Sequence, residues 1–142
     1  MIFLYLASSL YMAGLIWFVQ VVHYPLFEAV KDASGEYYRL HSKKTSRVVI
    51  LPMIVQLVCA ILFVIEPGDL GATTSRVLLL IVVLIWIATF GLAVPQHNVL
   101  AKGYDEPAVR RLVATNWIRT SLWSGHAVWL MWTVASWMKD KG

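Results

Sequence analysis

Residues 77–94 read VLLLIVVLIWIATFGLAV, a run that begins after Arg76 and meets no charged side chain until Lys102. At about 1.5 Å per residue, an α-helix of this length crosses the roughly 30 Å hydrocarbon core of a bilayer. The run is continuous rather than alternating, and it is far longer than a membrane-barrel strand. We therefore predict a transmembrane helix over these residues.

Three further uncharged runs of similar length divide the rest of the chain. With 59% hydrophobic residues and a mean hydropathy of +0.68, the composition of the 142-residue chain excludes a soluble domain. The single cysteine, Cys59, lies inside one run and cannot form an internal disulfide. The predicted fold is all-α, an integral membrane four-helix bundle. It is one domain, residues 1–142, with spans of about 2–22, 48–65, 77–94 and 120–138.

The lysines and arginines are distributed unevenly between the two predicted faces of the membrane. One face carries only Arg76, Lys139 and Lys141. The opposite face carries Lys31, Arg39, Lys43, Lys44, Arg47, Lys102, Arg110, Arg111 and Arg119. Because short basic loops stay in the cytoplasm, we predict a bacterial inner-membrane protein with both termini outside. The net charge of +4 then reflects the orientation of the chain in the membrane. The sequence contains no soluble basic module, so the charge does not indicate nucleic-acid binding.

Three histidines lie at the ends of hydrophobic runs that this topology places on the basic face: His23, His41 and His97. The acidic-then-basic order of residues 28–47 predicts a helix that starts near Ser34, continues into the second span and carries His41 about two turns above the membrane. Pro95 is expected to end the third span, because proline disfavours helical geometry in the residue before it. Asn116 is expected near the start of the fourth.

Two polar stripes should face the bundle interior, because polar groups in hydrocarbon cost several kcal/mol. Helical spacing places one on the fourth span, comprising Asn116, Arg119, Thr120, Trp123 and His126. It places the other on the first span, comprising Trp17, Gln20, His23 and Tyr24. Antiparallel packing would then gather one layer of polar residues, namely His23, His41, His97, Asn98, Asn116 and Arg119.

Chemical roles follow from these residue types. The candidate catalytic residues are His97, Arg119, Asn116 and Asn98. The candidate substrate-binding residues are Trp17, Gln20, Trp123 and His126. The candidate metal ligands are His23, His41 and His97.

Three neutral imidazoles suit iron, copper or zinc, although the site would have to be assembled from separate helices. The sequence contains no haem attachment motif, and the identity of any cofactor stays undetermined. In the alternative interpretation, Arg119 is an interfacial anchor, Asn116 a helix cap, and His23 and His41 interfacial hydrogen-bonding groups.

Residues 95–100, PQHNVL, followed by residues 116–120, NWIRT, resemble the pattern that closes the third span and opens the fourth in the anthrone oxygenase-like family of small four-helix membrane proteins. This chain has His97, Val99 and Trp117 where that pattern has an amide, a basic residue and a histidine. The resemblance implies an oxygen-dependent oxidation of a polycyclic phenolic anthrone to a quinone.

Three classes of function remain open from the sequence. The convergence of polar residues favours an oxygenase-like oxidoreductase that acts on a hydrophobic substrate at a cytoplasm-facing His/Asn/Arg cluster. The chain could instead be a non-catalytic subunit or assembly partner of a larger membrane complex. A carrier for a small solute or proton is the third class, since His126 lies inside a span. The predicted partners are the lipid bilayer and either a hydrophobic small molecule or other membrane subunits, and no nucleic acid.

Overall fold

The computed structural model describes residues 1–32 and 34–140 as an all-α bundle of four rods, with no strand in these ranges. Lys141, which the orientation prediction counted, lies outside the described residues. The helices are α1 (Ile2–Phe18), α2 (Gly35–Ile65), α3 (Ala72–Ala88), α4 (Val94–Leu100) and α5 (Glu106–Asp140). A π turn, Val19–His23, and a 3₁₀ turn, Pro25–Val30, extend α1. A second π turn, Thr89–Ala93, joins α3 to α4 in one rod.

The four rods run alternately up and down. The α1 rod packs against α2 and α5, and the α3–α4 rod packs against the same two neighbours. Residues 19–32, 34–47 and 94–119 therefore lie together at one end of the bundle, which we call the basic end. Both ends of the described chain and the α2–α3 connection lie at the other.

Three of the rods are long and apolar enough to cross a membrane: Ile2–Val30, Gly35–Ile65 and Ala72–Leu100. Their outward faces leave large apolar side chains exposed, including Leu51 at 67%, Ile65 at 68% and Ile87 at 61%. Exposed apolar surface of this extent suits contact with lipid rather than water. Helix α5 mixes Trp, Ser, Thr and His with its aliphatic residues, and is not among the three. A fourth span within α5 stays a prediction.

The observed start of α2 agrees with the start predicted from the sequence, whereas the observed start of α5 does not. Ser34 is the N-cap residue of α2, although its hydroxyl makes no capping hydrogen bond. In α5 the Asp105 Oδ1 atom accepts a hydrogen bond of 2.7 Å from the Ala108 amide, so the helix starts at Glu106. The interpretation of Asn116 as a helix cap is wrong, because Asn116 lies about three turns inside α5.

The prediction that the helix ends at Pro95 is also wrong, since α4 continues to Leu100. The π turn before Pro95 explains why. The Val94 amide bonds to the Thr89 carbonyl, and Pro95 then occupies the first turn of α4, where its missing N–H is tolerated. The same arrangement occurs at Pro25, where the Tyr24 amide bonds to the Val19 carbonyl at 2.9 Å.

Gly35 fixes the approach of α2 to the end of α4. A Cβ atom at this position would lie 2.5 Å from the Ala101 carbonyl oxygen, so only glycine fits without a backbone shift. The first turns of α2 are therefore held against α4. This contact positions the segment that carries His41 beside the segment that carries His97.

Candidate functional site: a cavity at the basic end

A cavity of about 310 Å³ lies at the basic end, between α1, α2, α4 and α5. Its inner wall is apolar and includes Met12, Leu15, Ile16, Val19, Val49 and Ala93. Polar residues line the rest, including Arg39, His41, Ser42, His97, Asn98 and Arg119. The cavity is therefore amphipathic, and its polar lining comes from α2, α4 and α5, together with Tyr24 after the first π turn and Thr89 in the second.

Tyr24 and His97 face each other across this cavity. The Tyr24 hydroxyl lies 3.0 Å from the His97 Nε2 atom, and Tyr24 is only 3% exposed. Tyr24 directly follows the first π turn, and His97 lies four residues after the second. The two irregular turns therefore bring this pair together. The other ring nitrogen of His97, Nδ1, is buried and has no hydrogen-bond partner among the described residues. An unpaired buried polar atom costs about 1–3 kcal/mol.

A chain of hydrogen bonds holds Arg119 in place. One guanidinium nitrogen donates to the Asn116 Oδ1 atom at 2.9 Å, and the Asn116 amide donates to the Gln20 Oε1 atom, also at 2.9 Å. The Gln20 amide in turn donates to the Val113 carbonyl at 3.2 Å. The guanidinium carbon lies 5.4 Å from the centre of the Trp123 ring, within the range of a cation–π contact. These contacts tie α5 to the π turn that follows α1.

Arg119 is 7% exposed, so it does not extend to the interface as the anchor interpretation requires. No carboxylate of the described residues forms an ion pair with it. The guanidinium lies within electrostatic reach of Tyr24 and of His97, and it lines the cavity. A buried cation that lacks a carboxylate partner is strongly destabilising unless another group neutralises or solvates it.

His23 and His41 are hydrogen-bonded to each other, and the centre of the His41 ring also lies 5.7 Å from the centre of the His97 ring. The His23 Nε2 atom lies 3.0 Å from the His41 Nδ1 atom, and the His41 Nε2 atom lies 3.4 Å from the Thr45 hydroxyl. Among the described residues, no group of three or more His, Cys, Asp or Glu side chains is arranged to hold a metal ion. A metal at His41 would have to displace one of its two hydrogen bonds, and the three-histidine site stays a prediction.

A second polar network lies deeper in the bundle, and its members are completely buried. The Tyr5 hydroxyl lies 2.8 Å from the His126 Nε2 atom. The Gln56 amide donates to Ser9 at 3.3 Å and lies 3.4 Å from the His126 Nδ1 atom, while its oxygen accepts from the Trp123 indole at 3.2 Å. This network joins α1, α2 and α5, and its residues do not line the cavity.

The predicted site residues thus separate into groups. His97, Arg119, His41 and Asn98 line the cavity, with Asn98 exposed at its edge. Asn116 and Gln20 are buried behind Arg119, and His23 contacts the cavity only through His41.

The other three predicted residues lie elsewhere. Trp123 and His126 belong to the deeper network. Trp17 is 45% exposed and donates to the Ser124 hydroxyl at 2.9 Å, so it does not join the buried stripe on the first rod.

Apart from His41, the α2 side chains that line the cavity were not predicted from the sequence. Arg39, Ser42, Ser46 and Val49 all line it, and they recur at spacings of three and four residues. Such spacing places them on one face of a helix. This periodicity was available in the sequence, but the serines and the arginine resembled an ordinary solvated segment above the membrane.

Comparisons of the chain with protein-family models, with curated proteins and with solved structures give no match. The resemblance to the anthrone oxygenase-like family therefore stays a prediction. The fold and the cavity define a class: a small helical bundle, compatible with a membrane protein, with an amphipathic cavity at one end.

Proposed function

We propose that this chain is a small integral membrane protein that binds a hydrophobic molecule in the cavity at its basic end. The observation that carries the proposal is the cavity itself, which joins an apolar inner wall to a polar region containing Arg119 and His97. Ligand sites typically combine a mostly apolar surface with a few polar groups that fix orientation. A molecule dissolved in the bilayer would find both kinds of surface here.

The basic end is proposed to face the cytoplasm, with both termini outside and α5 as the fourth span. The support is the excess of Lys and Arg at this end, which favours cytoplasmic retention of short loops. The bacterial inner membrane is the proposed location. Lipid would cover the exposed apolar faces of the bundle.

An oxygenase-like oxidation is the reaction proposed for this site. In such a reaction a CH₂ carbon of a phenolic anthrone loses two hydrogens, one atom of dioxygen forms the new C=O bond, and the other leaves as water. With its ring proton on Nε2, His97 would accept the first proton at Nδ1 and then donate it in a hydrogen bond to the substrate oxygen, whose negative charge Arg119 would stabilise. The support is the unpaired His97 nitrogen beside a buried cation at one cavity.

The binding function is tested with two neighbouring residues of α2. Val49 lines the cavity, whereas Ile50 is 41% exposed on the outer face. Val49→Trp should fill the cavity, and Ile50→Trp adds a similar side chain on the lipid-facing side. Binding of 2-naphthol to purified protein in lipid nanodiscs, with empty nanodiscs subtracted, should be lost in Val49→Trp and retained in Ile50→Trp. Equal binding by the two variants would refute the cavity as the site.

The reaction is tested separately by following dioxygen consumption and quinone absorbance with 1,8-dihydroxyanthrone. The wild type should accelerate both, and His97→Ala should abolish the acceleration without preventing 2-naphthol binding. If the protein binds 2-naphthol but consumes no dioxygen above the background, the binding proposal stands and the oxygenase proposal fails. A subunit of a larger complex would show neither effect.

A further inference from the structure

Three buried polar atoms at the cavity have no hydrogen-bond partner in the part of the chain that the structure describes. They are Ser42 Oγ, His97 Nδ1 and Arg119 Nε. Each belongs to a residue that lines the same cavity, and they come from three different helices, α2, α4 and α5. Buried polar atoms in folded proteins are nearly always paired. Three unpaired atoms at one cavity indicate that a bound molecule supplies the missing partner.

The three atoms can all act as donors at once. The Arg119 Nε atom always carries a hydrogen and cannot accept, and the Ser42 hydroxyl is free to donate. When the Tyr24 hydroxyl donates to the His97 Nε2 atom, the ring proton lies on Nδ1, which then also donates. A single arrangement of protons therefore makes all three atoms donors, on residues that line one cavity. The complementary ligand atom is a hydrogen-bond acceptor.

The charges around the cavity indicate that this acceptor is anionic. Arg119 is 7% exposed and is held by a neutral amide, that of Asn116, rather than by a carboxylate. Arg39 contributes a second cation to the lining, and no Asp or Glu is among the lining residues. Charge-assisted hydrogen bonds from a guanidinium to an anionic oxygen are stronger than those to a neutral one.

We infer that the cavity binds an amphiphile with an apolar body by its anionic oxygen, a carboxylate or a phenolate, which accepts hydrogen bonds from Arg119 Nε, Ser42 Oγ and His97 Nδ1. The apolar body of the molecule lies against Met12 and Val49 on the inner wall. The inference rests on the proposed binding function, to which it adds the chemical class of the ligand and the atoms that recognise it.

The test compares ligands that share one ring system and differ in charge. Binding of 2-naphthoate, 2-naphthol, naphthalene and 2-naphthylmethylamine is measured by equilibrium dialysis of the wild-type protein in nanodiscs, with empty nanodiscs subtracted. The 2-naphthoate or the 2-naphthol should bind at least about tenfold more tightly than naphthalene, and the amine most weakly. Tighter binding of 2-naphthoate identifies a carboxylate as the recognised oxygen, and tighter binding of 2-naphthol identifies a phenolate when the absorption spectrum of the bound molecule is that of its deprotonated form.

The atoms are tested by substitution and by spectroscopy. Arg119→Gln should weaken binding of the tighter anionic probe at least about tenfold, and Ser42→Ala should weaken it by a smaller factor. Arg111→Gln is the matched control, because it removes the same charge from an exposed position of the same helix. In the wild type, the ¹⁵N–¹H signal of Arg119 Nε should shift when the probe is added. This measurement does not depend on any variant folding.

The possible results separate the two proposals. If none of the four probes binds above the empty-nanodisc background, the binding function itself is wrong. If naphthalene or the amine binds as tightly as the anionic probes, binding stands and the inference about anionic oxygen is wrong. The inference is also overturned if Arg119→Gln behaves like Arg111→Gln while the Arg119 Nε signal stays unchanged.

Discussion

The Tyr24 hydroxyl and the His97 Nε2 atom lie 3.0 Å apart although 73 positions separate the two residues in the chain. Tyr24 directly follows one π turn, and His97 lies in the short helix that follows the other. Each π turn is followed within two residues by a proline, Pro25 or Pro95. The prolines lack an N–H for the regular helical pattern, and the wider turns accommodate them. The two π turns thus occur where polar side chains point into the apolar bundle.

Replacement of Tyr24 by Phe should destabilise the bundle. The change removes the hydroxyl and leaves the second ring nitrogen of His97 unpaired in a buried site, so we expect a loss of about 1–3 kcal/mol in the free energy of unfolding. Tyr11→Phe is the matched control, because Tyr11 is 49% exposed on the same rod. Unfolding in mixed micelles measures the difference. Equal stability of the two variants would show that the contact with His97 contributes nothing.

Substitution in the deeper network should lower the free energy of unfolding by more than substitution at the cavity does. Gln56→Leu removes the partner of Ser9, Trp123 and one nitrogen of His126 within a completely buried layer. We expect a loss of at least about 3 kcal/mol in the free energy of unfolding, from two or more unsatisfied groups. Gln96→Leu is the control, since Gln96 makes no side-chain hydrogen bond to the described residues. A wild-type unfolding curve for Gln56→Leu would rule out a stabilising network.

Asn116→Asp should impair ligand binding without unfolding the protein. The new carboxylate would lie about where the Asn116 Oδ1 atom accepts from Arg119 and would neutralise the guanidinium. Binding of 2-naphthoate should fall about tenfold, since the cation would already be paired. Ala114→Asp adds the same charge at an exposed position of α5 and should bind as the wild type does. Unchanged binding in Asn116→Asp would mean that the charge of Arg119 is not used.

The membrane orientation makes a separate prediction. Reporter fusions at the C-terminus should be active outside the cytoplasm, and a reporter inserted after Lys102 should be active inside it. Reversal of the charge excess, by replacement of basic-end lysines and addition of lysines near Arg76, should shift the distribution of orientations. Cytoplasmic activity of the C-terminal fusion would contradict the orientation if the Lys102 reporter lies outside, and the fourth span in α5 if the Lys102 reporter lies inside.

The long apolar runs and their polar stripes were enough to predict the bundle, because one buried stripe per helix admits few packings. Thus the burial of Asn116, Arg119 and Thr120 follows from helical spacing alone. The hydrogen-bond partner of each polar side chain could not be predicted from the sequence. His41 is hydrogen-bonded to His23, and His126 to Tyr5, and such pairings depend on small shifts and rotations between helices.

Two other features were beyond sequence reasoning for identifiable reasons. Pro95 normally indicates a helix end, and only the π turn before it allows α4 to continue. Trp17 has the spacing of the buried stripe but lies at its edge and contacts Trp117 at the surface. The rotation that a π turn adds is not encoded in hydrophobic periodicity, so the exposure of Trp17 and the register of His97 required the structure.

Photo-crosslinking with 4-benzoylbenzoate, an aromatic carboxylate, tests the central claim that the cavity at the basic end is a ligand site. Mass spectrometry of the labelled protein should place the crosslinks on cavity residues such as Met12 and Val49, and excess 2-naphthoate should prevent them. Labelling confined to lipid-facing residues such as Leu51 and Leu80, and unaffected by 2-naphthoate, would contradict the claim.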